Sequence, residues 1–154
     1  MKQYEDKLNS YLVELFNDVL KAEELALGKI YKNISLKEFH VIEAVCMQIE
    51  RDGDNTTAAI AAALKITVGS LTVAVNTLEK KGYLERRKVD KDKRVVRIYP
   101  TESGEEVNEF HKTFHQQMVK GIIGVMEEEE LEVFLKVLEN VRVFFRDQYV
   151  ATRK

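Results

Sequence analysis

Three histidines and one block of cations are the residues with chemistry to offer. His111 and His115 stand four apart, a spacing that puts both rings on one helix face, where they can point at a single ion. His40 lies on an earlier segment, and Glu23 or Glu24 at the end of the first can complete a tetrahedral set. Either glutamate with His40, His111 and His115 would offer an ion four ligands. A hydrogen-bonded surface or interface pair is the plainer reading of the histidines. The cations are segregated. From Lys80 to Arg97 nine Lys and Arg stand against Glu85, Asp90 and Asp92, whereas Glu102 to Glu132 carries nine Glu against Lys112 and Lys120. One basic block in a chain of net charge -2 suggests a face built for a polyanion. A solvated charged hairpin is its plain alternative.

Enzymatic chemistry finds no foothold: there is no Gly-rich phosphate loop, no acid and base paired with a nucleophile, and no CxxC motif. The single cysteine, Cys46, excludes an internal disulfide framework and suits a reducing compartment. It sits among apolar residues with no adjacent cation, as a small buried side chain rather than a redox sensor. The charged N-terminus and the lack of a long apolar run give neither a secretion signal nor a membrane span. A cytoplasmic protein with no membrane partner is expected.

The elements that must position these residues follow from periodicity. Leu8, Leu12, Leu15, Phe16, Val19, Leu20 and Leu27 recur at helical spacing. Ser35 and Glu38 form a capping box before Phe39, Ile42, Val45, Cys46 and Ile49. Thr56 or Thr57 caps a short alanine-rich helix, 58–64, and Thr67 caps another that Gly82 ends at about Lys81. Two β-rich pieces, 83–89 and 95–99, flank a charged turn, and Pro100 closes the second. Two long helices follow, from Thr101 to about Val125 and from about Glu128 to Tyr149. The fold class is therefore mainly α with a small β-hairpin.

Two short helices joined by a tight turn and followed by a basic hairpin make a winged helix-turn-helix, assigned to residues 35–100. Segments 1–34 and 101–154 form a helical dimerisation region. The second helix of the pair enters the major groove by its N-terminal end, which brings Thr67, Val68, Gly69, Ser70, Thr72, Val73 and Asn76 to DNA, while Leu71, Val75 and Leu78 face inward. This exposed set holds no arginine for bidentate guanine readout, and Val73 and the threonine methyl suit thymine methyl groups. An A/T-rich palindromic operator in double-stranded DNA is expected. Arg86, Arg87 and Lys88 are placed for phosphates, and Lys91, Lys93 and Arg94 at the tip for a neighbouring minor groove. Asp92 is expected to hold an arginine internally. A winged helix used only as a protein-interaction module is the rival from another class. The concentration of cations argues against it.

The run Leu78-Glu79-Lys80-Lys81-Gly82-Tyr83-Leu84-Glu85-Arg86, then Asp92-Lys93-Arg94 and Thr101-Glu102-Ser103-Gly104, resembles the MarR family of dimeric bacterial regulators over essentially the whole chain. Val73 and Val89 depart from the family pattern. Within that family, Ser35-Leu36-Lys37-Glu38-Phe39-His40, Thr67-Val68-Gly69-Ser70-Leu71-Thr72 and His111-Lys112-Thr113-Phe114-His115 are similar to regulators of fatty-acid synthesis. That resemblance implies repression strengthened by a long-chain acyl group on acyl carrier protein, with no required cofactor. An acyl chain would need an apolar tunnel, for which Val19, Leu20, Leu27, Phe39, Val41, Phe110 and Phe114 are candidates; ordinary core is the alternative for each. Zinc-responsive members of the family imply the second effector reading, a regulatory zinc site at Glu24, His40, His111 and His115. The surplus apolar residues of the terminal helices, Leu8, Leu12, Leu15, Phe144, Phe145 and Tyr149 among them, point to a homodimer.

Overall fold

Local capping decides where the elements begin and end. The computed structural model describes residues 1–51, 53–89 and 92–150, without the side chains of 89, 92–94, 149 and 150. Its order is α1 (Lys2–Gly28), α2 (Leu36–Glu50), α3 (Thr57–Leu64), α4 (Val68–Lys80), β1 (Leu84–Val89), β2 (Asp92–Pro100), α5 (Glu102–Ile123) and α6 (Glu128–Phe145), closed by a π turn at Arg146–Val150. The expected mainly α fold with one antiparallel hairpin is what is found, although β2 starts at Asp92, ahead of the expected Val95. Two compact units divide the chain, Met1–Phe114 and His115–Lys154. Among the described residues no single helix is long and apolar enough to cross a membrane.

In the first unit the caps read from sequence are in place. The Ser35 amide donates to Glu38 Oε2 at 2.7 Å, Ser35 Oγ accepts from Glu38 N at 3.4 Å, and Thr56 and Thr67 accept from Ala59 N and Ser70 N. Glu38 also takes Lys81 Nζ at 2.7 Å, which ties the start of α2 to the end of α4. Helices α3 and α4 both end in a left-handed residue with paired 6→1 and 5→2 bonds (Ile66 N to Ala61 O with Lys65 N to Ala62 O; Tyr83 N to Leu78 O with Gly82 N to Glu79 O). Gly82 adopts φ 82° at no steric cost, whereas Lys65 adopts φ 57° as an L-residue.

The core joins Phe39, Ile42 and Val45 of α2 to Ile60, to Leu71, Val75 and Leu78 of α4, to Leu84 and Ile98 of the hairpin and to Val107 of α5, each at most 2% exposed. Burying a side chain of this kind contributes about 1.5–3 kcal/mol, so this cluster is the main source of stability in the unit. The hairpin pairs Leu84 with Pro100 through Lys88 with Val96, then shifts register between Lys88 and Val89. Its base is clamped to α5: Thr101 N donates to Tyr83 O at 3.1 Å, Thr101 Oγ1 donates to Gly82 O at 2.6 Å, and a Cβ on Gly104 would lie 2.2 Å from Tyr83 O. The glycine is required by that close approach.

The terminal helices behave differently. Of α1 only Glu23 and Leu27 are buried, and Tyr4, Leu8, Leu15 and Phe16 are each more than half exposed. In the second unit α6 has no buried residue. Its N-terminal glutamates, with Glu130 accepting the Glu127 amide at 3.0 Å, and Arg142 in its last turn complement the helix dipole.

Candidate nucleic-acid interface

Helix α4 separates its faces cleanly. Leu71, Val75 and Leu78 are wholly buried, which leaves Val68, Gly69, Ser70, Val73 and Asn76 exposed and Thr72 half-buried. Val73, at 66% exposure, is an apolar side chain held in solvent at the centre of this face, a suitable partner for a thymine methyl group. The hydroxyls are less available than their types suggest. Thr67 Oγ1 accepts from Ser70 N at 3.1 Å and donates to Ser70 Oγ at 2.8 Å. Thr72 Oγ1 donates to Val68 O at 2.8 Å. Thr72 has thus spent its only donor on the backbone and turns toward a partner only acceptor lone pairs and a methyl group.

The hairpin cations are held by internal partners. Arg86 reaches back across the base of β1: its backbone N–H donates to Glu79 Oε1 at 2.9 Å, its guanidinium pairs with Glu79 Oε2, and Nη1 also donates to Asn76 Oδ1 at 2.8 Å. Arg87 pairs with Glu85 and lies over the Tyr99 ring, 4.6 Å from its centroid. Lys88 is exposed. Arg97 of β2 donates to Asp54 Oδ1 at 3.0 Å and to Asn55 Oδ1 at 2.8 Å, while the buried Asn55 donates to Ile98 O at 2.8 Å. These bonds fix the hairpin to the turn ahead of α3. Sequence reasoning did not single out Glu79, Asn55 or Arg97, because nothing local marks a carboxamide or carboxylate as an anchor for a strand distant in sequence. Lys91, and the side chains of Lys93, Arg94 and Asp92, lie outside the described residues.

The histidines meet a different glutamate from the one expected. Glu24 is exposed and pairs with Lys21 at 2.8 Å. Glu23, 3% exposed, receives His40 Nε2 at 3.4 Å and the closer His111 Nε2 on the same Oε1. Helical geometry explains the correction: Glu23 lies four residues after Val19 and four before Leu27, on the inward face, whereas Glu24 is turned away. His111 Nδ1 lies 3.4 Å from Glu43 Oε1. Burial works against a charged ring at His111, but the hydrogen bonds it donates to Glu43 and Glu23 outweigh it and raise its pKa above the ordinary 6.5. His115, one turn further along α5, falls in the second unit. The Cys46 thiol is buried, and burial with the nearby Glu50 carboxylate pushes it up to about 11.

The apolar candidates divide. Leu27 and Phe39 line a cavity of about 400 Å³ with Tyr31 and Ile34, within the size range of small-ligand sites. Phe110 packs edge-on against Tyr31, 5.7 Å between centroids. Val41 is buried in the core, Val19 and Phe114 are half-buried, and Leu20 lines a separate open groove with Glu24 and His40.

Comparison with known proteins agrees with this geometry. The MarR family model matches residues 34–96, the stretch from the α2 cap to the second hairpin strand. The crystal structure of Streptococcus pneumoniae FabT in complex with DNA superposes with a TM-score of 0.84 at 39% identity, covering 92% of this chain and 97% of that one. The HTH-type transcriptional regulator BilQ of Clostridium symbiosum is 30% identical over 116 residues, 75% of this chain and 72% of BilQ. The HTH-type transcriptional regulator YwhA of Bacillus subtilis is 31% identical over 90 residues, 58% of this chain and just under two thirds, 65%, of YwhA.

Proposed function

The chain belongs to the MarR family of DNA-binding transcriptional regulators, and from that premise we propose that it is a homodimeric repressor of fatty-acid synthesis genes with a long-chain acyl group on acyl carrier protein as corepressor. The observation that carries this reading is the likeness to FabT, a protein solved on DNA, over nearly the whole of both chains. The half-open cleft lined by Leu27, Tyr31, Ile34 and Phe39, with Glu24, Lys32 and Ser35 also in its wall, supports a site for the acyl group.

Helix α4 reads base edges in the major groove with Val73, Ser70 and Asn76, and the hairpin supplies phosphate and minor-groove contacts through Lys88, Lys91, Lys93 and Arg94. The operator is A/T-rich and palindromic, each half facing one α4 of the dimer. The exposed apolar side chains of α1, and separately those of α6, support self-association.

The test is operator binding with each effector added separately. Long-chain acyl-acyl carrier protein is expected to tighten binding about tenfold, the usual scale of an allosteric coupling. A second reading, zinc as effector, is supported by the convergence of His40 and His111 on the Glu23 carboxylate; two imidazoles and a carboxylate suit zinc. Tightening by zinc alone, abolished in His111→Ala, would overturn the acyl reading.

A further inference from the structure

The partners of Arg86 settle what Asn76 can offer to DNA. A guanidinium carries donors only, so the amide atom that faces Arg86 Nη1 at 2.8 Å is the carbonyl oxygen, and the Nδ2 group is turned away from it. Arg86 is itself held on two sides by Glu79, through its backbone N–H at 2.9 Å and through its guanidinium. Arg86 and Glu79 are about three-quarters buried, with side chains 26% and 28% exposed, while Asn76 is exposed on the same face of α4 as Val73. The chain Glu79, Arg86, Asn76 therefore begins on α4, passes through the first hairpin strand and returns to α4 one turn nearer its reading end.

We infer that Arg86 is a positioning residue rather than a phosphate contact, and that it locks the Asn76 amide so that Asn76 meets the base edge with its N–H donors. Without that lock an exposed asparagine interconverts between donor-outward and acceptor-outward states and discriminates poorly. With it, the base addressed by Asn76 must present a major-groove acceptor, N7 or O6 of guanine, N7 of adenine or O4 of thymine, and the cytosine amino group is refused. Glu79 specifies the lock at one remove, since it fixes where the guanidinium sits. The inference rests on α4 being the base-reading helix.

The experiment uses a duplex selected from a random pool by the wild-type protein, with affinities measured over a salt series and over a panel of single base-pair changes. Asn76→Ala and Arg86→Met are each expected to weaken binding about tenfold, the worth of one good base contact, and to flatten preference at the same base pair of each half-site. Combined, they should cost no more than either alone, because Arg86 acts through Asn76. The salt slope of Arg86→Met should match wild type. Arg86→Lys serves where Arg86→Met melts below the assay temperature: an ammonium can pair with Glu79 but cannot span Glu79 and Asn76 together, so the same flattening is expected. A salt slope smaller by about one with base preferences intact would make Arg86 a phosphate contact and overturn the inference, as would additive losses. Val73→Ala separates the two levels. If it alters base preference while Arg86→Met does not, only the lock fails; if neither Val73→Ala nor Asn76→Ala alters it, the assignment of α4 as reader fails and takes the lock with it.

Discussion

Leu71, Val75 and Leu78 are wholly buried within the thirteen residues of α4, whereas α6, with eighteen residues and a comparable apolar share, buries none. Both helices carry apolar residues at helical spacing, so amphipathicity alone does not say what a helix packs against. In the first unit the apolar face of α4 is met by α2, α3 and the hairpin of the same chain. Most apolar side chains of α6 in the second unit, and of α1 before Val19, stay exposed. Val133, Leu135, Val137, Leu138, Phe144 and Phe145 are each more than 40% exposed, a larger apolar surface than a helix left to solvent usually carries. The helix-turn-helix side of the contrast is closed on its own core, and the α6 side is open within its unit.

The strongest way to break that contrast is to charge the open half. Phe144 and Phe145 lie against each other at 5.4 Å. Phe144→Glu with Phe145→Glu is expected to weaken self-association on the order of a thousandfold, the effect of losing aromatic hot spots and burying charge, as read by sedimentation. The double variant should keep the circular dichroism of the first unit. A dimer that persists undiminished would mean that α6 is covered in some other way.

Cys46 probes the closed half by chemistry. Its thiol is 6% exposed and its pKa is pushed up to about 11, and only the thiolate attacks an alkylating reagent. At pH 8 ionisation alone should slow labelling on the order of a hundredfold relative to an ordinary cysteine. Iodoacetamide labelling followed by mass is expected to be slow in the native protein and fast in denaturant. Rapid native labelling would show the first unit to be open.

Gly104→Ala tests the clamp between the hairpin and the start of α5, inside the first unit. The added Cβ would meet the Tyr83 carbonyl at 2.2 Å, a backbone atom that cannot turn aside as a side chain can. A loss of about 2 kcal/mol is expected, roughly thirtyfold in the folding equilibrium, measured by urea unfolding.

Much of the closed half was legible because its signals are local. Ser35 with Glu38, Thr56, Thr67 and Gly82 each announce a helix end within four residues, and the period of Leu71, Val75 and Leu78 names the buried face. The histidine cluster was legible only by type. His40 and His111 were visible as candidates, but choosing Glu23 over Glu24 required weighing helical phase against Val19 and Leu27, and the bond to His111 spans 88 residues. The lock on Asn76 left no trace. Arg86 reads from sequence as one more cation in a basic run, and only its approach to Glu79 sets it apart.

The smallest expected effect compares two helix ends built to one design. Both α3 and α4 close with paired 6→1 and 5→2 bonds around a left-handed residue. At the end of α4 that residue is Gly82, which adopts φ 82° freely; at the end of α3 it is Lys65 at φ 57°, where the Cβ crowds the neighbouring carbonyl. Sequence reading located the first because glycine is its signature, and passed over the second because lysine is not. Removing the Cβ relieves the crowding but also frees the unfolded chain, which returns part of the gain. Lys65→Gly should therefore raise stability by about 0.5–1 kcal/mol, and Gly82→Lys should lower it by a like amount. Thermal melts of the two variants against wild type read the difference directly. A fall in melting temperature for Lys65→Gly would mean that the lysine side chain, exposed as it is, stabilises the turn by more than its backbone strain costs.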